Sequence, residues 1–223
     1  SFKRYPKYFD MEVIELKTDY GVIDVKDLKK KVKGASAILL TSFAGYFAEQ
    51  PLKKIKTICE KNNCLVIEDA SGSIGDKKLC NGNYSDITVG SFSRWKPVAY
   101  GYGGWISVAK KEYFELVREV ISMCRVHEKF YKDIAKVLRA NRLSKRIELQ
   151  EKVKKDLEKF EVFHRDKRGL NVVAKFDSKI INYCQEKGFQ HILCPNYIRC
   201  NEQGISIELK RLSIDEVKEK LKK

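Results

Sequence analysis

No two of the seven cysteines stand in a C-x-x-C spacing, and their number is odd. That pattern argues against a disulfide framework and against a zinc ribbon, and it leaves Cys59, Cys64, Cys80, Cys124, Cys184, Cys194 and Cys200 as reduced thiols that pack as small apolar residues. Histidine is scarce: His127, His164 and His191 are scattered and read as ordinary surface or packing residues. Long hydrophobic runs are missing too. The longest, such as Ala37–Leu40, are far too short to cross a bilayer, and no basic-then-apolar signal opens the chain. The chain is therefore expected to be soluble and cytoplasmic, with no metal centre.

What is present is a globular composition over 223 residues, 43% hydrophobic, with a formal net charge of +15. The charge is uneven: residues 1–106 carry 17 basic against 12 acidic side chains, and residues 107–223 carry 28 against 18. Most of the later lysines fall at helical spacing among glutamates, as in Glu148–Lys159, which is the pattern of a solvated helix face. No zinc finger or RNP-type motif accompanies the charge, so nucleic-acid binding rests on charge alone.

Taken in order, Met11–Lys17 alternates like a half-buried strand and Tyr20-Gly21 turns the chain. Asp24 opens a helix with Val25, Leu28 and Val32 on one side, ending at Gly34. Ala35–Thr41 is an apolar run suited to a parallel strand covered on both faces. Glu49–Asn62 is a second one-sided helix, and Cys64–Ile67 a second buried strand. Alternating strands and helices predict an α/β sheet, whose ligands gather beyond the carboxyl ends of the strands. Glu68 and Asp69 stand at such an end. Lys77–Asn83 suits a short hairpin, Ile87–Phe92 and Trp105–Ala109 further strands, and Lys110 to about Asp166 a helical segment with Phe114, Val117 and Val120-Ile121 as one stripe. After a boundary at Asp166–Gly169, a strand (Leu170–Phe176), a helix (Asp177–Lys187), two strands (Ile192–Cys200, Ile205–Leu209) and a helix (Ile214–Leu221) capped by Ser213 make a small α+β unit. The expected domains are 1–109, 110–166 and 167–223.

The central stretch carries the chemistry. VIEDASGSIG, then SDITVGSFSRWK, then GYGGWISV resembles the central part of the DegT/DnrJ/StrS sugar aminotransferases, fold-type I enzymes that use pyridoxal phosphate. Upstream, GVIDVKDLKKKVKG and ASAILLTSFAGYFAEQPLKKIKTICEKNN resemble the family's approach to this region, and GISIELKRLSIDEVKEKLKK is similar to its last strand and helix. The order and spacing of these motifs together are more specific than any one of them. The resemblance implies a fold-type I large domain with a mostly parallel sheet, a helical connection and a small α+β C-terminal domain.

By that resemblance Asp69 matches the carboxylate that pairs with the cofactor's pyridine nitrogen and keeps it protonated. Lys96 matches the Schiff-base lysine, and Ser91 the hydroxyl placed on the cofactor phosphate. From the residues alone, the lesser alternative for Asp69 is a helix N-cap or turn former after a strand, and Trp95 and Tyr100 are expected in core packing ahead of a role in shaping the pocket. The sequence also departs from the family. Gly72 stands where Gln or His is usual, Ser93 where His is common, and Pro97 where Asn is usual. The resemblance begins downstream of the family's Ser-Gly-Thr phosphate turn, and Asn141-Arg142-Leu143-Ser144 only loosely matches its Asn-x-Arg stretch, which reaches the neighbouring subunit's site.

Three readings follow. The first is an aminotransferase moving an amino group from an amino acid to a keto-sugar or related carbonyl compound, its site completed by a homodimer partner or another chain. The second is a catalytically impaired structural or regulatory subunit, and the third a basic nucleic-acid-binding protein. The presence of both Asp69 and Lys96 favours the first, while Gly72 and the unmatched phosphate turn favour the second.

Overall fold

The computed structural model describes residues 2–139, 142–194 and 202–222. After a 3-10 turn over Pro6–Phe9 comes a hairpin, β1 (Thr18–Asp19) and β2 (Val22–Ile23), turned by Tyr20 and Gly21 at φ 41° and 86°. The strand expected over 11–17 does not form. Its side chains alternate in the sequence, but Met11 and Ile14 are half exposed and no sheet edge pairs with them among the described residues. A periodic pattern needs a partner strand to become a ladder.

Helix α1 (Val25–Lys31) is capped by Asp24, whose carboxylate accepts the Lys26 amide at 2.7 Å. Next come β3 (Ala37–Thr41), a small hairpin of β4 (Phe43–Ala44) and β5 (Ala48–Glu49), and α2 (Leu52–Glu60), which Pro51 starts later than the apolar spacing predicts. Strands β6 (Leu65–Asp69), β7 (Ile87–Ser91) and β8 (Gly104–Val108) complete a four-stranded sheet in the order β3-β6-β7-β8, parallel except for β8. Leu28, Val32, Leu52, Ile55 and Cys59 from α1 and α2 bury one face of it against Ile38, Leu40 and Val66. The opposite face stays partly open, with Leu39 37% and Ile106 36% exposed, so β3 is not the doubly covered strand expected. Residues 77–83 form turns rather than a hairpin, because Asp76 and Asn81 side chains take the amides of Lys78, Leu79 and Asn83 that a ladder would use.

The helical segment divides into α3 (Lys111–Met123), α4 (Tyr131–Arg139) and α5 (Arg142–Asp156). It ends at Asp156 instead of 166, and the stripe of α3 is largely exposed, with no residue of that helix buried. The last lobe holds β9 (Val172–Lys175), α6 (Ser178–Lys187), β10 (His191–Leu193), β11 (Gly204–Ile207) and α7 (Ile214–Lys222), with the sheet order β10-β11-β9. Ser213 and Glu216 cap α7 reciprocally, each side chain taking the other's amide. The rest of the strand expected over 192–200, including Cys200, lies outside the described residues.

Helix α5 joins the lobes. Leu143 packs in the first core and Leu149, Val153 and Leu157 in the second. Between them Gln150, fully buried, donates to the carbonyls of Phe47 and Asn171 at 3.0 and 2.7 Å and accepts the Gly169 amide at 2.7 Å. Gly169 sits so close to Phe47 that an added Cβ would lie 2.5 Å from its carbonyl.

Arg146, 4% exposed, gives one N–H to the Leu212 carbonyl at 3.1 Å, while its Nε and Nη1 have no partner among the described residues. Burial, with the Arg142 charge close by, brings its pKa down to about 10. A buried cation without a carboxylate is destabilising. Arg146→Met, which keeps an apolar stem, is expected to raise unfolding stability by about 1–3 kcal/mol. Urea denaturation of both proteins checks this.

Candidate active site

Period-two alternation in β6 sends Glu68 and Asp69 to opposite faces of the sheet. Glu68 is 1% exposed and accepts the hydroxyls of Ser42 (2.6 Å) and Ser85 (2.9 Å) and the Cys80 amide (3.2 Å). It is a core hub. Asp69 is only half-buried, and its Oδ1 accepts the Ser71 amide at 2.9 Å. Ser71 in turn accepts the Ser91 amide on its hydroxyl at 2.9 Å. Asp69 and Ser91, at the carboxyl ends of parallel neighbours, are thus linked through one serine. The Ser91 hydroxyl accepts the Ser93 amide at 3.2 Å and keeps its own proton to donate.

Lys96 follows Trp95, which stands at φ 62°, in the loop that leaves β7. Its amine donates to the hydroxyl of Tyr46 and lies 4.6 Å from that ring's centroid. Tyr46 comes from the turn between β4 and β5, where Gly45 and Tyr46 both have positive φ, 51° and 66°. The amides of Leu170 and Asn171 hold its carbonyl at 2.6 and 3.0 Å. The Tyr46 ring lies over Gly72: an added Cβ there would meet ring carbons at 3.2 and 3.3 Å. This gives Gly72 a physical reason, since any side chain would press on the tyrosine that grips Lys96. It also connects the lysine to the loop that follows Asp69.

The small lobe reaches the same ring. The Lys210 amine is 4.2 Å from the Tyr46 centroid and 3.3 Å from Glu208 Oε2. Burial pushes the Lys210 pKa down, Glu208 opposes that, and the charges of Arg211 and Lys96 add to the push. Arg211 stacks 5.0 Å above the ring of Trp95, which is half exposed and not a core residue as expected. Tyr100 packs beside Phe92 and Phe130, with its hydroxyl donating to Asp133 at 3.3 Å. Asn141 lies outside the described residues.

Asp69 and Ser91 are therefore joined through Ser71, and Lys96 through Tyr46 and Gly72 to the same loop. Three members were missed in the sequence. In the sequence Ser71 is one of several small residues after Asp69, Tyr46 carries no motif of its own, and Lys210 is one of 45 basic side chains. The Gly45-Tyr46 turn was the one local signal, as adjacent positive-φ positions mark an unusual backbone.

Known proteins share this fold. Solved structures that share the fold include PseC of Helicobacter pylori, an aminotransferase of pseudoaminic acid biosynthesis, at 14% identity and TM-score 0.66 over 97% of this chain and 73% of that one. They also include Escherichia coli GDP-4-keto-6-deoxy-D-mannose-3-dehydratase with bound hydrated pyridoxal phosphate, at 13% identity and TM-score 0.64 over 98% and 75%. A pyridoxal-phosphate-bound putative aminotransferase from Clostridium difficile matches at 16% identity and TM-score 0.61 over 99% of this chain and 66% of its own length. The chain thus spans about two thirds to three quarters of these relatives. A comparison with curated proteins finds no match. The fold is that of the fold-type I pyridoxal-phosphate enzymes. Residues 10–151 match the profile of the DegT/DnrJ/EryC1/StrS aminotransferases, and the chain belongs to that family. Residues 140–223 match the MJ1341 family C-terminal domain.

Pyridoxal phosphate is the family's cofactor, and the residues present suit it. Asp69 spends one carboxylate oxygen on the Ser71 amide, and no bond is made to the other among the described residues. Lys96 is a primary amine held by a phenol hydroxyl, which can accept or donate a hydrogen bond. Ser91 retains a hydroxyl proton for a phosphate oxygen.

Proposed function

We propose that the chain acts as a pyridoxal-phosphate-dependent aminotransferase that transfers an amino group from an amino acid to a keto-sugar or related carbonyl compound, in a site completed by a second copy or a partner chain. The observation that carries this reading is the Lys96 amine on the Tyr46 hydroxyl, beside the Asp69–Ser71–Ser91 chain at the carboxyl ends of β6 and β7. When bound, the cofactor supplies a carbonyl carbon for amines and an electron-accepting ring.

The chain's own residues do the rest. Asp69 holds positive charge on a ring nitrogen, and the Ser71 amide orients its carboxylate. Ser91 donates to phosphate. Lys96 supplies the amine and, once displaced, the proton carrier at its Nζ, while the Tyr46 hydroxyl accepts a hydrogen bond from that Nζ and positions it.

The test is spectroscopic. Protein loaded with pyridoxal phosphate should be yellow, should bleach when an amino-acid donor is added, and should regain colour with a keto-sugar acceptor. A second reading, a non-catalytic subunit, draws on Gly72, where the family's usual side chain is replaced by the Tyr46 ring. Protein that turns yellow but bleaches with no amino acid would establish it.

A further inference from the structure

The Tyr46 phenol that holds Lys96 stands on a turn too small to hold itself. Strands β4 and β5 pair at only two positions, Phe43 with Glu49 and Ala44 with Ala48, and a ladder that short has little stability alone. Tyr46 sits in it at φ 66°, a region that a residue with a side chain keeps only where its surroundings impose it. Those surroundings are the 169–171 segment, whose Leu170 and Asn171 amides donate to the Tyr46 carbonyl at 2.6 and 3.0 Å. One side-chain amide ties the two segments together. Gln150 Nε2 donates to the carbonyl of Phe47, the residue after Tyr46, at 3.0 Å and to that of Asn171 at 2.7 Å, while its Oε1 accepts the Gly169 amide at 2.7 Å.

Two donors and an acceptor on one planar group make a primary amide; a carboxylate only accepts, and an apolar chain does neither. Gln150 is fully buried, so water does not replace a bond that is lost. It stands on α5, whose side chains enter the cores of both lobes. We infer that Gln150 is a positioning residue for Lys96: it locks the Tyr46 turn against the 169–171 segment and thereby sets where the phenol meets the amine. It touches neither that amine nor any reacting atom, and acts through Tyr46. The path runs from Gln150 to Phe47, Gly169 and Asn171, from there to the Tyr46 carbonyl, and across the ring to Lys96. The inference rests on reading Lys96 as the reactive amine of an aminotransferase, but acetylation of Lys96 tests it without the cofactor.

The full chain, free of cofactor, is treated with N-hydroxysuccinimidyl acetate, and peptide mass mapping reads acetylation of Lys96 against the exposed Lys53 of the same molecule. Gln150→Met keeps the length of the side chain and removes all three bonds. Lys96 should label about fivefold faster in Q150M than in the native protein, the equivalent of one hydrogen bond released from the phenol. In a Tyr46→Phe background, where that bond is already gone, Q150M should change the rate by less than about twofold, because two residues on one path are not additive. Ile180→Ala, fully buried in the core of the small lobe, loosens the fold elsewhere and should leave Lys96 labelling as it was. Labelling at the native rate in Q150M, the same gain in the Y46F background, or an equal gain in I180A would overturn the inference. Should Q150M not fold, Gln150→Asn, an amide one methylene short, is read in the same way. With pyridoxal phosphate added, colour should form about tenfold more slowly in Q150M, since the amine is freed but misplaced, and an unchanged rate would also overturn the inference. If the native protein forms no adduct on Lys96, the aminotransferase reading fails, and the acetylation of Lys96 alone decides the role of Gln150.

Discussion

Lys96→Ala is expected to abolish the yellow absorbance that the native chain shows with pyridoxal phosphate, and with it the borohydride-stable adduct that peptide mass mapping should locate on Lys96. The effect is all or none because no other primary amine shares the position. Lys210 sits on the same Tyr46 ring, but its amine is tied to Glu208 at 3.3 Å, whereas Lys96 is held only by a neutral phenol among its described hydrogen bonds. A variant that keeps the colour, with the adduct moved to Lys210, would reverse the roles of the two lysines. Tyr46→Phe separates positioning from chemistry. It should leave the adduct in place and shift the pH profile of its formation, because the amine loses its proton partner while the ring stays over Gly72.

The second large effect concerns stability. Arg168→Ala should cost about 3 kcal/mol of unfolding free energy at neutral pH, the scale for stripping a partner from a largely buried ion pair. Arg168 bonds Asp76 at 2.8 Å and Glu49 at 2.7 Å, and the Asp76 side chain is 5% exposed. Burial alone would raise the Asp76 pKa, but the Arg168 hydrogen bond and the amides of Leu79 and Lys78 outweigh it and leave the carboxyl below its ordinary value of 3.8. A carboxyl whose folded pKa lies below its unfolded one stabilises the fold above the unfolded value, and that contribution fades as pH falls through the folded one. The gap between native and R168A proteins, measured by urea titration at several pH values, should therefore be full at pH 6 and shrink below about pH 4. A constant gap across that range would place the effect in packing instead.

Much of the architecture was legible because it depends on short-range patterns. The Asp24 cap, the stripe of α2, the apolar run of β3 and the Ser213 capping pair each state their geometry in a few residues. The failures share a cause. The 11–17 segment has a strand's alternation without a strand beside it, and α3 has an apolar stripe that no core covers, so periodicity was present where burial was not. For the site, Asp69, Ser91 and Lys96 could be matched to a family because they fall on one continuous stretch. Tyr46 and Lys210 could not, since they come 50 residues before and 114 residues after Lys96 and meet it only through the fold. Gly72 shows the limit most clearly. In the sequence it is a missing side chain, and in the structure it is the space that a tyrosine ring needs.

The grip on the Tyr46 carbonyl has a consequence for how such a site can vary over time. The amides of Leu170 and Asn171 that hold it belong to the main chain, which nearly every amino acid supplies alike. Mutation at 170 or 171 can therefore rewrite the side chains without releasing the turn, provided the backbone path past Gly169 is kept. The orientation of the phenol is in effect inherited through chain geometry and not through residue identity. Related chains with little letter-by-letter similarity could hold an aromatic ring at this place, and comparison of backbones would find it where comparison of letters would not.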